Sequence, residues 1–403
     1  MPPAYSPDST VHAQVGTAKG WLIANLLAQI CLGLLAMTIC LPSMQEWGAV
    51  FRADQAAVQL TFSAYVVAYG ALQLLYGPLS DRYGRKGILL LGLVLACAGF
   101  FLAATTEHLG VLTFARFLQG SGTAAGMVVG RSAVQDLFEG PERTRVMAYI
   151  GMALGLCPPL ATLMGGQIHV RWGWQANFFF MAVLSMLLFL LAWRGLPSSG
   201  KRITKTHWLA DMGQAYARLA REHRFLLYVL ILASTTATFY VFLAGAPIVL
   251  RSYGVGPEGV GLFIMCVPLS YIVGNFLTSR LIQHVGERRM MALGQVASAV
   301  AILLVLALAL LGWHSPWALS LPLLLLGLGH GFLNPPALAG TVGLVPSLAG
   351  TAVAIAGLMQ QLMGATGAYL VGLTSHEGAL HLAWLMLAFT LCSIAAQSVL
   401  HRR

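Results

Sequence analysis

The sequence predicts an all-α membrane protein with 12 transmembrane helices arranged as two pseudo-symmetric bundles of six. First, 58% of the residues are hydrophobic and only 9% are charged, whereas a soluble domain carries about 25% charged residues. Second, 12 apolar runs have the length that crosses a bilayer, which is about 20 residues. Third, one long polar stretch lies in the middle of the chain. This composition excludes a soluble enzyme, a disordered scaffold and a secreted module.

The apolar runs define the domain organisation. They lie near 21–44, 57–77, 87–105, 110–132, 146–168, 175–194, 225–249, 259–279, 290–312, 317–338, 349–373 and 381–399. The polar stretch 195–224 is predicted to be a cytoplasmic loop between a first bundle, 21–194, and a second bundle, 225–403. Residues 1–20 lack the apolar core of a signal peptide and predict a short cytoplasmic tail. Two related bundles around a site at the midplane would permit rocking-type alternating access.

The distribution of basic residues predicts the orientation. With the N-terminus inside, 19 of the 23 lysines and arginines lie on the cytoplasmic side, and Arg116 lies within a span. The opposite side carries only Arg52, Arg171 and Arg251. By the positive-inside rule, both termini are expected in the cytoplasm of a bacterial inner membrane. The net charge of +10 is therefore interpreted as an insertion signal, and no nucleic-acid partner is expected.

The central loop contains four apolar residues with the spacing of one helical face. They are Leu209, Met212, Tyr216 and Leu219. This pattern predicts either a short helix on the membrane surface or a solvated tether.

A glycine-rich and charged segment, GPLSDRYGRK, follows the second span. Glycine permits a tight reversal of the chain, and the segment places one acid at a helix end among cations. The segment is interpreted as either a conformational latch on the cytoplasmic face or a turn that only follows the positive-inside rule. The predicted latch residues are Gly77, Asp81, Arg82, Gly84, Arg85 and Lys86. A weaker copy, SRLIQHVGER, follows span 8 with Gly286 in the place of Gly84 but Gln283 in the place of the acid.

Several motifs carry a resemblance to one family. The GPLSDRYGRK segment resembles the G-x-L-x-D-R-x-G-R-K loop of the major facilitator superfamily, and RFLQG from Arg116 is similar to its R-x-x-Q-G motif. Span 5 resembles the Gly/Pro antiporter motif of drug exporters. The predicted helix-bending residues in it are Gly155, Pro158, Pro159, Gly165 and Gly166. Together with Leu41-Pro42, these motifs resemble 12-span drug/proton antiporters of the Bcr/CflA type, which include amphenicol exporters. The resemblance implies the major facilitator fold.

The sequence departs from this family at two positions. The family typically has an acid four residues before the Leu-Pro pair, where this chain has Thr38, and a second proline where it has Thr162. All 13 acidic residues lie outside the spans or at their ends. An intramembrane carboxylate is what lets a proton and a cationic drug compete for one site. Its absence favours neutral or weakly anionic substrates.

Two ionisable side chains remain within the spans. Arg116 is costly in hydrocarbon and either binds a substrate group, tunes a proton relay, or holds helices together through carbonyl oxygens. His330 either carries protons, since an unperturbed histidine titrates near pH 6.5, or is only hydrogen-bonded within the helical core. Both are candidates for proton coupling.

Polar and aromatic side chains of the spans complete the predicted site. The residues expected to line a cavity are Tyr65, Tyr69, Gln73, Gln119, Tyr240, Tyr271, Asn275, Asn334, Gln360 and Gln361. The predicted substrate-binding set is Arg116, Gln119, Tyr65, Gln73, Thr38, Tyr240, Asn334 and Gln360. Some of these residues are expected to join helices instead.

The sequence thus predicts a secondary active transporter that exports small drug-like molecules, with protons as the expected coupling ion. The alternative is a metabolite uptake or exchange permease in which Arg116 binds an anionic substrate. The chain lacks a phosphate-binding P-loop, and the spans carry no paired acids or histidine cluster for catalysis. We expect no enzyme activity, cofactor or metal, and a monomer in the lipid bilayer. The six cysteines lie in apolar runs without metal-ligand spacing.

Overall fold

A computed structural model describes residues 9–138, 140–196, 213, 217–345, 348–374 and 378–402. In the first half, the helices are α1 (Ser9–Thr38), α2 (Met44–Val50), α3 (Gln55–Tyr83), α4 (Arg85–Thr105), α5 (Leu109–Leu137), α6 (Gly140–Trp172) and α7 (Trp174–Gly195). In the second half, they are α8 (His223–Ser252), α9 (Pro257–Ile264), α10 (Cys266–Val285), α11 (Glu287–Leu310), α12 (Pro316–Ser320), α13 (Leu323–Gly343), α14 (Ala349–Gly372) and α15 (Leu380–Arg402). The predicted all-α fold class is confirmed.

Each predicted span falls on a long helix or on two helices in series. Nine helical segments among the described residues are long and apolar enough to cross a membrane. The helices α5, α6 and α14 contain 29, 33 and 24 residues, which also exceeds the length a bilayer requires. They are less apolar because they carry polar side chains, such as the buried Gln119 on α5 and Gln361 on α14, which accepts a hydrogen bond from Tyr240.

The predicted tail and the predicted central loop are described only in part. Helix α1 includes Ser9 and extends over residues of the predicted tail, where the sequence from Ser9 to Thr38 contains no proline to interrupt it. Most of the predicted surface helix of the central loop lies outside the described residues, although Leu219 is buried near the start of the second half.

Paired glycines turn the chain between helices at matching places in the two halves. Gly84, between α3 and α4, has a φ of 92°, and Gly286, between α10 and α11, has a φ of 81°. Side chains other than glycine rarely adopt such angles. The sequence similarity between the two segments is therefore matched by the same backbone conformation.

Small residues allow close packing within each half. A Cβ atom on Gly92 of α4 would overlap Gly122 of α5, and a Cβ on Gly294 of α11 would contact Gly329 of α13. Membrane helices associate through such small-residue contacts because lipid provides no hydrophobic drive between them.

The two halves contact each other near one face of the bundle. We name this the distal face, and the face where α15 ends is the terminal face. Near the distal face, Gln59 Nε2 donates to Ala244 O at 3.0 Å, and Ser63 Oγ donates to Ala365 O at 2.8 Å. Gln45 Nε2 also donates to Pro247 O in the second half.

Helices α3 and α14 diverge toward the terminal face. Residues seven apart share one face of a helix, and Ala56, Ser63 and Gly70 of α3 each contact the second half. A Cβ on Gly70 would overlap the side chain of Gln361, whereas a Cβ on Gly77, two turns further along the same face, would meet nothing within 4 Å. The halves therefore separate toward the terminal face.

Candidate substrate site

A cavity of about 650 Å³ lies between the two halves, within the range of small-molecule sites. It is lined by Leu34, Met37, Gly155, Pro158, Thr235, Thr236, Phe239, Tyr240, Val267, Pro268, Tyr271, Ile272, Asn275, His330, Asn334, Gln360 and Gln361. The distal contacts between the halves close it on one side.

The two walls of the cavity differ in chemistry. Among the described residues, the first half contributes Leu34, Met37, Gly155 and Pro158. All lining side chains with hydroxyl, amide or imidazole groups come from α8, α10, α13 and α14 of the second half. A ligand can therefore pack against one wall and form hydrogen bonds with the other.

In the described part of the chain, no Asp, Glu, Lys or Arg lines the cavity. His330 is 5% exposed and makes no hydrogen bond with another residue that the structure describes. Asn334, one turn further along α13, has a buried Oδ1 atom without a hydrogen-bond partner in the described part of the chain. Since buried polar atoms are normally paired, these two groups are available to a bound molecule.

Proline and threonine shape the helix that carries His330 and Asn334. A proline has no backbone N–H, so Pro335 cannot donate to the carbonyl of Gly331 one turn earlier. Thr278 Oγ1 of α10 donates to that oxygen at 2.9 Å, which compensates for the missing helical bond. This contact fixes α13 against α10 next to the cavity.

Tyr240 and the two glutamines form the part of the cavity nearest the contact between the halves. Tyr240 OH donates to Gln361 Oε1 at 2.9 Å, and the Tyr240 ring contacts Phe62 of the first half edge-on at 5.9 Å. Gln360 lines the cavity and is half-buried. Of the predicted substrate-binding set, Tyr240, Asn334 and Gln360 therefore lie together.

Arg116 lies behind the cavity wall and does not line it. Its side chain is fully buried, with Nη1 donating to Ala36 O at 2.9 Å and to Gln119 Oε1 at 2.8 Å. The guanidinium carbon is 4.3 Å from the centre of the Tyr65 ring, a distance at which a cation interacts with an aromatic face. Its Nη2 donates to the carbonyl oxygen of Met37, and Met37 is one of the residues that line the cavity.

The other predicted residues of the first half also lie outside the cavity lining. Thr38 Oγ1 donates to Leu34 O at 2.8 Å, and Tyr65 OH donates to Gly33 O at 2.7 Å. Gln119 Nε2 donates to Gly99 O at 3.0 Å. Gln73 is half-buried on α3 and is also absent from the lining.

The sequence interpretation missed three residues of α8. Thr235, Thr236 and Phe239 line the cavity beside Tyr240. Residues 235 and 239, and residues 236 and 240, are each four positions apart and share one helical face. This stripe of polar and aromatic residues could therefore be recognised in the sequence.

The predicted helix-bending residues lie along α6 from the cavity to the distal face. Gly155 and Pro158 line the cavity. A Cβ on Gly165 would overlap the backbone of Ile39, and one on Gly166 would overlap Pro257 of α9. Gly166 thus allows close contact between α6 of the first half and α9 of the second half. Pro159 lies on α6 between the cavity and this contact, and it is buried.

The predicted latch is partly described. Lys86 Nζ donates to Leu196 O at 3.0 Å, which joins the start of α4 to the end of α7. The side chains of Asp81 and Arg82 lie outside the described residues. The latch therefore stays a prediction.

Two helical halves that meet at one face and enclose a cavity between them form the architecture of a secondary transporter. The chain belongs to the Major Facilitator Superfamily, whose family model matches residues 22–368. It is a multi-pass membrane transporter, and it is similar to Multidrug resistance protein D of Escherichia coli, with 30% identity over 347 residues that cover 85% of this chain and 86% of the relative.

Two further comparisons agree. A Chloramphenicol resistance protein of Pseudomonas aeruginosa is 28% identical over 330 residues, which cover 80% of this chain and 77% of the relative. A crystal structure of a D-xylose-proton symporter has a TM-score of 0.75 at 15% identity, and the match covers 94% of this chain and 96% of the symporter. That likeness shows the fold alone, and the names of the relatives agree with the resemblance to drug antiporters.

Proposed function

We propose that this chain exports small drug-like molecules across the bacterial inner membrane, and that it favours neutral or weakly anionic substrates. The observation that carries this proposal is the cavity, which combines an apolar wall with a polar wall and has no carboxylate or permanent cation among the lining residues that the structure describes. A cationic drug would enter it without a charge partner, and burying an unpaired charge is costly. The names of the relatives support drug export.

The transport mechanism is alternating access. The distribution of lysines and arginines supports cytoplasmic termini, so the terminal face is the cytoplasmic one and the cavity opens inward. A substrate enters from the cytoplasm or the inner leaflet and binds the polar wall of the second half. Rocking of the halves then separates the distal contacts and closes the terminal face.

Proton coupling is assigned to His330, with Arg116 as the second candidate. His330 is a lining residue whose imidazole ring can accept a proton, and the ring has no hydrogen-bond partner among the described residues. A substrate that bonds to the neutral imidazole and a proton on that ring exclude each other. Such competition produces antiport without an intramembrane acid. Arg116 would act indirectly, through the carbonyl of Met37.

Drug export is tested in an efflux-deficient bacterium by comparing resistance to chloramphenicol with resistance to a quaternary ammonium compound. We expect resistance to the neutral drug alone. Asn334→Leu should weaken the apparent affinity about fivefold, since a hydrogen bond contributes about 1 kcal/mol. Gln283→Leu is the matched control, because it removes an exposed amide outside the cavity. Resistance to the cation alone would overturn the substrate preference, and no resistance to either drug would overturn export.

The metabolite permease is not supported by a specific observation. It requires Arg116 to bind an anionic substrate directly, and Arg116 is not among the residues that line the cavity.

A further inference from the structure

A second recess lies on the outer surface of the second half, between α11 and α15 at the terminal face. It is a groove of about 890 Å³, and it shares no lining residue with the central cavity. At its inner end, Gln295 Nε2 donates to Ser393 Oγ at 2.7 Å and joins the two helices. From this bond, eight residues of each helix lead to the terminal face, a distance of about 12 Å.

The mouth of the groove is basic. Arg288 and Arg289 are exposed and line it together with His401, and among the lining residues that the structure describes Glu287 is the one acid. Neither guanidinium forms a hydrogen bond or an ion pair with a residue that the structure describes. Unpaired arginines between helix ends at a membrane surface are suited to bind the phosphate of a lipid headgroup, because the guanidinium fork matches phosphate oxygens.

A buried amide lies deeper in the groove. Gln397 lines it and is only 6% exposed, yet its Oε1 atom has no hydrogen-bond partner among the described residues. A buried oxygen of this kind is normally paired. The ligand should therefore carry a hydrogen-bond donor in addition to its anionic group.

The inner wall of the groove is apolar. Val296 is 61% exposed, and Ala292 and Ile394 lie beside it. A surface of this kind suits an acyl chain that continues from the headgroup into the hydrocarbon.

We propose that this groove binds an anionic glycerophospholipid whose headgroup carries a hydroxyl group, such as phosphatidylglycerol. The phosphodiester lies between Arg288 and Arg289, and the headgroup hydroxyl donates to Gln397 Oε1. The net positive charge of the groove favours this lipid over phosphatidylethanolamine, whose ammonium cancels the phosphate charge. The proposal does not depend on which molecule the central cavity transports.

The experiment is native mass spectrometry of the full chain in detergent, titrated separately with phosphatidylglycerol, phosphatidylethanolamine and inorganic phosphate. Each arginine near an anionic lipid group contributes roughly fivefold in affinity, so R288A/R289A should weaken phosphatidylglycerol binding about 30-fold. The matched control is R280A/R221A, which removes two exposed arginines outside the groove. It should bind the lipid as the wild type does.

A second variant tests the hydroxyl. Gln397→Leu removes the unpaired acceptor Oε1 at nearly constant side-chain volume. It should therefore abolish the preference for phosphatidylglycerol over phosphatidylmethanol, which has the same charge but no headgroup hydroxyl. Three results would overturn the proposal. They are equal weakening in the R280A/R221A control, equal binding of phosphatidylethanolamine, and inorganic phosphate binding as tightly as the lipid.

Discussion

Adding one methyl group at Gly70 should shift the conformational equilibrium of the transporter. A Cβ at this position would lie 2.5 Å from Gln361 Cβ and 2.8 Å from Gln361 Cγ, whereas carbon atoms in contact prefer about 3.5–4.0 Å. Overpacking of this kind costs about 1–3 kcal/mol. This cost arises while α3 is in contact with α14, and that contact exists in the conformation with the distal face closed.

Gly70→Ala should therefore favour the conformation with the distal face open by about 5- to 150-fold. The matched control is Gly357→Ala on α14, one turn from Gln361, where a Cβ would meet nothing within 4 Å. Both substitutions raise helix propensity in both conformations. Only the first should change their ratio.

The assay is a spin–spin distance across the distal face, with labels at Val50 of the first half and Leu373 of the second. Both side chains are exposed, by 49% and 59%, and the native cysteines are replaced beforehand. Gly70→Ala should lengthen the main distance, and Gly357→Ala should leave it at the wild-type value. An unchanged distribution in Gly70→Ala would show that the two helices stay in contact in both conformations and would refute the reasoning.

Three further predictions concern proton coupling, the latch and Arg116. In liposomes, His330→Gln should transport its substrate at a rate that no longer rises with an imposed pH gradient, and a preserved response would exclude His330 as the proton carrier. Asp81→Asn should lower turnover more than substrate affinity, because a latch alters the conformational equilibrium; loss of equilibrium binding in folded protein would contradict this. Arg116→Ala should abolish transport, since the carbonyls of Ala36 and Met37 lose their donor next to the cavity. Full transport by a variant that is only less heat-stable would assign Arg116 to helix packing alone.

The helices were predictable because a run of about 20 apolar residues has few other stable conformations in a bilayer. Their ends were less predictable. Helix α1 already includes Ser9 although the apolar run starts near residue 21, because no proline between them interrupts the helix. The breaks at Met265 and Leu321 also escaped prediction, because hydropathy continues across them, although Pro268 and Pro322 follow them closely and are sequence signals for an interrupted helix.

The candidate site was only partly predictable, because the sequence does not show which polar side chains bond to other helices. Gln119 and Gln360 look equivalent as amides within spans. In the structure, Gln119 is bonded to Arg116 and to the carbonyl of Gly99, whereas Gln360 lines the cavity. The difference depends on which helices are neighbours. That information is carried by contacts between residues far apart in the chain.

The unequal division of polar groups between the two walls bears on how transport can be coupled. If a substrate bonds only to the second half, its binding energy does not by itself pull the two halves together. The exception is Tyr240, which bonds to Gln361 on α14 and packs against Phe62 of the first half. Because Gln361 also contacts Gly70, a ligand that displaces the Tyr240 hydroxyl would alter the contact between the halves directly. We therefore expect Tyr240→Phe to retain binding through Asn334 while weakening the link between binding and opening of the distal face, measured by the same labels with and without substrate. If substrate changed the distance between the labels in Tyr240→Phe as much as in the wild type, substrate binding would be linked to opening of the distal face through another contact.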